Sequence, residues 1–143
     1  MADCVLLSEV DLSKWSQRVR ERLERAFSPE TAQQGWSTLV PSSGQCAAVA
    51  VIVHDLLGGQ MVSARVEGRS HWFNRVQMPD GEVDLDLTAD QFGYPAIRIS
   101  RAGKLYPETR VRQLVEVTPE TKARSDLLKQ RSGVSHADYL GSD

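Results

Sequence analysis

Residues 41–59 read PSSGQCAAVAVIVHDLLGG: a turn, a cysteine, an unbroken aliphatic run and a closing pair of glycines. From Gln45 to Leu57 the residues are apolar nearly all round, and Gly58-Gly59 supplies the left-handed stop that helices favour. A run of this length without alternation predicts a buried central helix, although β-branched Val49, Val51, Ile52 and Val53 would also suit a strand. The preceding turn, Pro41-Ser42-Ser43-Gly44, delivers Cys46 onto the first turn of that helix. Free backbone N–H groups and the positive end of the helix dipole favour a thiolate at such a place, and they can also hold a developing oxyanion. Gly44 allows a close backbone approach, and Gln45 adds a side-chain donor. The plainer reading is that Cys46 is a small buried hydrophobe.

Upstream, Leu12, Trp15, Val19, Leu23 and Phe27 recur at spacings of three or four and predict an amphipathic helix from Leu12 to Phe27, ended by Ser28-Pro29. Pro29 to Gly44 is turn chemistry without a period, a long loop with Trp36, Leu39 and Val40 to bury. Downstream, Val62, Ala64 and Val66 alternate with polar residues as in a half-buried strand. A second strand runs from His71 to Gln77 and a third from Glu82 to Leu87. Asp80-Gly81 between them is a strong hairpin signal. A strand at Ala96 to Ser100, a helix from Glu108 to Glu116 or Val117, and a helix from Pro119 to Arg131 complete the reading. Residues 1–10 and the tail from Ser132 read as loose ends of a single domain spanning residues 1–143.

Composition excludes several function classes. The chain has 143 residues and a net charge of −2, so it lacks the basic excess with which a duplex-binding domain neutralises phosphates. The longest apolar run, Cys46 to Val53, is far short of the roughly 20 residues that cross a bilayer, and Met1 to Val10 has no basic n-region. The expectation is a cytoplasmic protein with no nucleic-acid or membrane partner. Cys4 and Cys46 are too few for a disulfide scaffold. Nothing resembles paired Cys or His at zinc spacing, nor a Gly-rich phosphate loop, so neither metal nor cofactor is expected.

A nucleophilic cysteine needs a base and a group that orients the base. His136 lies in the tail, and His54 is about two helical turns, roughly 12 Å, beyond Cys46. His71 opens a strand and is the better placed. Asp84 and Asp86 on the next strand are both eligible to orient it, and both also read as a solvated strand face. A two-residue Asp80-Gly81 turn sets Asp86 opposite Arg75, roughly 13 Å along the strand from His71. A shifted register or a bulge is therefore required to join them.

The constellation resembles a known core. A cysteine opening a helix, His71-Trp72-Phe73 beginning a strand, and Asp86-Leu87-Thr88 fifteen residues after the histidine are similar to the transglutaminase-like and papain-like cysteine enzymes. The spacing of that resemblance selects Asp86 over Asp84. A closer resemblance is to the YunG-like family of small bacterial proteins, carried by Gly44-Gln45-Cys46, Gly58-Gly59, Ser70-His71-Trp72-Phe73-Asn74 and Asp86-Leu87-Thr88-Ala89-Asp90-Gln91-Phe92. Ser28-Pro29-Glu30-Thr31 and Trp36 look like its entry segment, and the likeness covers about residues 28 to 117.

The expected fold is α+β, a papain/transglutaminase-like core in which a buried Cys-bearing helix packs on a small antiparallel sheet. The expected function is acyl transfer from an amide, peptide or ester through a thioester, with Cys46, His71 and Asp86 as catalytic residues. Gln45, Asn74, Gly44 and Trp36 are candidates for an oxyanion or supporting role. The partner would be a small-molecule or peptide acyl substrate; the alternative is a non-catalytic binding or accessory module on the same fold. The sequence does not specify an oligomeric state.

Overall fold

The computed structural model describes residues 7–33 and 36–140; Met1–Leu6, part of the expected loose N-terminus, and residues 141–143 of the tail lie outside it. Three helices and one antiparallel sheet make an α+β architecture. Helix α1 spans Glu9–Ala26, opens on a Ser8 cap and buries Leu12, Trp15, Val19 and Leu23 on one face. Each of these side chains contributes about 1.5–3 kcal/mol by leaving water. Helix α2 spans Cys46–Leu57 and α3 spans Pro119–Ser132, the latter with a Thr118 cap and Pro119 in its first turn.

Strands β1 (Gln60–Val66), β2 (Arg69–Met78), β3 (Gly81–Asp86), β4 (Arg98–Arg101) and β5 (Arg110–Arg112) form a sheet in the order β4-β3-β2-β1-β5. One face meets the helices. Val76, Met78 and Leu85 join the core of α1, α2 and α3, while Asn74 Nδ2 donates to the Ala50 carbonyl of α2 at 2.9 Å. The opposite face carries a smaller cluster of Val62, Ala64, Val66, Phe73 and Tyr106. Between α2 and β1 the chain reverses through Gly58 and Gly59, both at positive φ. At Gly59 an added Cβ would stand 2.4 Å from the Arg75 carbonyl oxygen, so the close approach of the incoming chain to β2 requires a glycine there.

The β2–β3 hairpin differs from the expected register. Met78 pairs with Gly81 and Arg75 with Asp84, so the two central turn residues are Pro79 and Asp80 rather than Asp80 and Gly81. Proline explains the choice: its fixed φ suits the first central position of a turn, whereas the other register would place it in the ladder without an N–H to donate. The shift amounts to two residues. It keeps every side chain on its expected face, and continuing the ladder brings Asp86 opposite Phe73, one same-face position from His71.

Two further expectations are corrected. Residues 108–117 are not a helix: Glu108 sits at φ 53°, Arg110–Arg112 pair with Met61–Ser63 of β1, and only Leu114–Glu116 coil into a 3-10 turn. The alternation of Arg110, Val111 and Arg112 suits an edge strand, and the open edge of β1 supplies the partner. Residues 133–140 of the expected loose tail are packed. Val134 and Asp138 are buried, Trp15 Nε1 donates to the Ser135 carbonyl at 2.9 Å, and Arg22 pairs with Asp138 at 3.0 Å, which seats the His136–Leu140 turn on α1.

Candidate functional site

Cys46 begins α2, whose N-terminus no side chain caps. The residue is half-buried and lines a small cavity. Gly44 and Gln33 border it on the loop side, Arg69, Ser70 and His71 on the start of β2, and Gln91 and Phe92 on the segment after β3.

His71 has no exposed surface. Its Nε2 donates to Asp86 Oδ2 at 2.7 Å, while its Nδ1 is buried and has no hydrogen-bond partner among the described residues. The nitrogen left over belongs to a ring that shares its cavity with the Cys46 sulfur. Three aromatic rings hold the imidazole: Phe92 and Tyr106 edge-on, with centroids 4.9 and 5.5 Å away, and Phe73 stacked at 6.0 Å. Burial disfavours the charged ring, but the Asp86 hydrogen bond and the nearby Cys46 outweigh it, so the His71 pKa is raised to about 9.

Asp86 is equally enclosed. Besides His71 it accepts from Tyr106 Oη at 2.5 Å on Oδ2 and from the Thr88 backbone N–H at 3.0 Å on Oδ1. Burial and the adjoining Asp86 charge push the Tyr106 hydroxyl well above its ordinary range, which keeps it a donor. Asp84, the other eligible carboxylate, is bound to Arg75 at 2.7 and 3.0 Å and to the Gly103 N–H at 2.7 Å. It does not meet the imidazole.

The segment from Asp86 to Phe92 does more than supply one carboxylate. Asp90 Oδ1 accepts from Ser42 Oγ at 2.7 Å, and Gln91 Oε1 accepts from the Gly44 N–H at 3.2 Å. Two residues of the turn that presents Cys46 are thereby tied to the same short 3-10 helix, Ala89–Phe92, whose last ring packs on His71. Arg20 of α1 braces the arrangement, with both terminal nitrogens on Asp90 at 3.0 and 2.8 Å and a further bond to the Leu87 carbonyl at 2.8 Å.

The structure therefore brings Cys46 and Gly44 to one cavity with His71, and Asp86 to His71. It does not bring the other supporting candidates there. Gln45 is fully buried, and its Nε2 donates to the Ser28 carbonyl at 3.1 Å, anchoring the entry of the long loop. Asn74 faces α2 from the other side of the sheet. Trp36 is not among the residues lining the cavity. His54 bonds the Gly59 carbonyl at the far end of α2. Sequence reasoning missed Tyr106, which lies in a polar turn without a motif. It also assigned no role to Arg69, Gln91 or Phe92, although the last two stand within a recognised motif.

No helix among the described residues is long and apolar enough to cross a membrane. No solved structure matches the chain at a significant level. The YunG protein of Bacillus subtilis strain 168 is 29% identical over 79 residues, a match covering 55% of this chain and 64% of that relative's length. The family model for the YunG protein matches residues 16–133, which contain α2, the whole sheet, the imidazole–carboxylate pair and α3; the chain belongs to the YunG family.

Proposed function

We propose that this protein is a cysteine-dependent acyl-transfer enzyme built on a papain/transglutaminase-like core, with Cys46 as nucleophile, His71 as acid and base, and Asp86 orienting His71. One observation carries the reading: a fully buried histidine is fixed by a carboxylate through one nitrogen while its other nitrogen, unpartnered, belongs to a cavity lined by a half-buried cysteine. A buried ring atom without a partner is costly in a merely structural role.

In the reaction the proton shared by the Cys46–His71 pair lies on His71 Nδ1, as the raised pKa of the imidazole favours, when Sγ attacks the acyl carbon and the carbonyl electron pair moves onto oxygen. Collapse of that oxyanion breaks the bond to the leaving group, which takes the proton from His71 and leaves a thioester on Cys46. Water or an amine then attacks the thioester, His71 accepts its proton and returns it to Sγ, and the acyl group departs. The Asp86 negative charge stabilises the imidazolium at each stage, and Tyr106 and Thr88 keep that carboxylate in place.

The test is intact-mass analysis after incubation with a panel of amides and activated esters. An acyl adduct on the wild type, absent in Cys46→Ala and strongly slowed in His71→Ala, supports the reading. Binding of a panel member without any adduct would instead establish a non-catalytic binding module.

A further inference from the structure

We propose that Arg69 makes the Cys46 cavity selective for acyl groups that carry a carboxylate; the inference rests on the nucleophilic reading of Cys46 above. The cavity has a volume of about 130 Å³ and opens to solvent, so a short acyl group fits beside the Cys46 sulfur. Among the described residues no Asp or Glu lines it, while Arg69 does.

That arginine differs from those that hold the fold together through carboxylates. Arg20, Arg75, Arg112 and Arg131 each pair with a carboxylate. The Arg69 guanidinium makes no hydrogen bond or ion pair with the described residues and instead lies over the Phe92 ring, its Cζ 5.2 Å from the centroid. Phe92 is in turn edge-on to His71 at 4.9 Å, so the guanidinium is held one aromatic ring away from the imidazole, with its fork of donors unused. A planar, preorganised cation with free donors at the rim of a cavity that lacks acids is suited to a carboxylate. Ser70 and Gln91 offer further polar contacts without adding charge.

Two alkylating reagents of nearly equal size test the idea, iodoacetate carrying a carboxylate and iodoacetamide a neutral amide. With either, the Cys46 sulfur forms a bond to the CH2 carbon as the carbon–iodine bond breaks and iodide leaves with the electron pair. The readout is the ratio of the second-order rates of Cys46 modification, followed by intact mass. In the wild type the ratio favours iodoacetate relative to free cysteine. In Arg69→Gln it falls about tenfold, the loss expected for one charge-assisted hydrogen bond, and Arg69→Lys restores part of it. Arg101→Gln, which removes an exposed positive charge on β4 away from this cavity, leaves the ratio where it was. Rapid labelling by both reagents with an equal ratio in wild type and Arg69→Gln would overturn the selectivity and leave the nucleophile standing. Labelling no faster than free cysteine by either reagent would overturn the nucleophile itself.

Discussion

Raising the pH should remove a defined part of this protein's stability. A histidine whose pKa is higher in the folded than in the unfolded chain binds more protons when folded between those two values, so stability declines with pH across that window. For His71 the window runs from the ordinary 6.5 to about 9, and at about 1.36 kcal/mol per pH unit the interval corresponds to about 3 kcal/mol. The ring is fully buried, so solvent screening does not reduce this figure appreciably. Urea unfolding of the wild type and of His71→Gln, measured at intervals from about pH 6 to about pH 10, reads the contribution of this imidazole with its coupled partners, because the titrating groups away from the site are common to both. The wild-type advantage should be full near pH 6, shrink through the window and disappear by about pH 10. An NMR titration of the His71 ring, assigned by its absence in the variant, supplies the folded-state midpoint directly. A stability difference that does not change with pH, or a ring that titrates near 6.5, would refute the account of how Asp86 and Cys46 act on this imidazole.

Other expectations follow from single contacts. Tyr106→Phe removes a donor from the buried Asp86 carboxylate and should cost about 1–3 kcal/mol in urea unfolding, with a lower rate of Cys46 acylation as the carboxylate loosens. Arg20→Met strands Asp90 and the Leu87 carbonyl and should cost about 3 kcal/mol, measured as a lower unfolding midpoint. Gly58 and Gly59 have nearly the same φ but different surroundings: Gly58→Ala meets open space and should cost about 1 kcal/mol, whereas Gly59→Ala meets the Arg75 carbonyl and should cost at least about 2 kcal/mol more, read from paired denaturation curves.

Much of the architecture was legible because its signals are local. The spacing of Leu12, Trp15, Val19 and Leu23 is the buried face of α1, and the run closed by Gly58-Gly59 is α2 with Cys46 at its first position. What escaped depended on partners distant in sequence. Arg110–Arg112 become a strand only because β1 has an edge to fill, and residues 133–140 order only because Trp15 and Arg22 receive them. The site divides in the same way. The residue types and the order Cys46, His71, Asp86 could be read from the sequence. The wrapping of Asp86 by Tyr106 could not, since Tyr106 comes from a turn whose position is set by tertiary packing. Gln45 illustrates the opposite error: its adjacency to Cys46 suggested chemistry, but a residue at a helix cap projects away from its neighbour, and its amide serves the backbone of Ser28.

Pro79 touches neither the sulfur, the imidazole nor the carboxylate, yet it governs whether the last two meet. Sliding β3 by two residues would leave the same apolar side chains facing the helical layer, so hydrophobic burial discriminates weakly between the two alignments, and the rigid ring at the hairpin tip becomes the arbiter. Variation at position 79 should therefore behave unlike ordinary loop variation: a chain that still folds, melts normally and has every reactive group intact, but whose acid–base relay has been pulled apart from the far end of a hairpin.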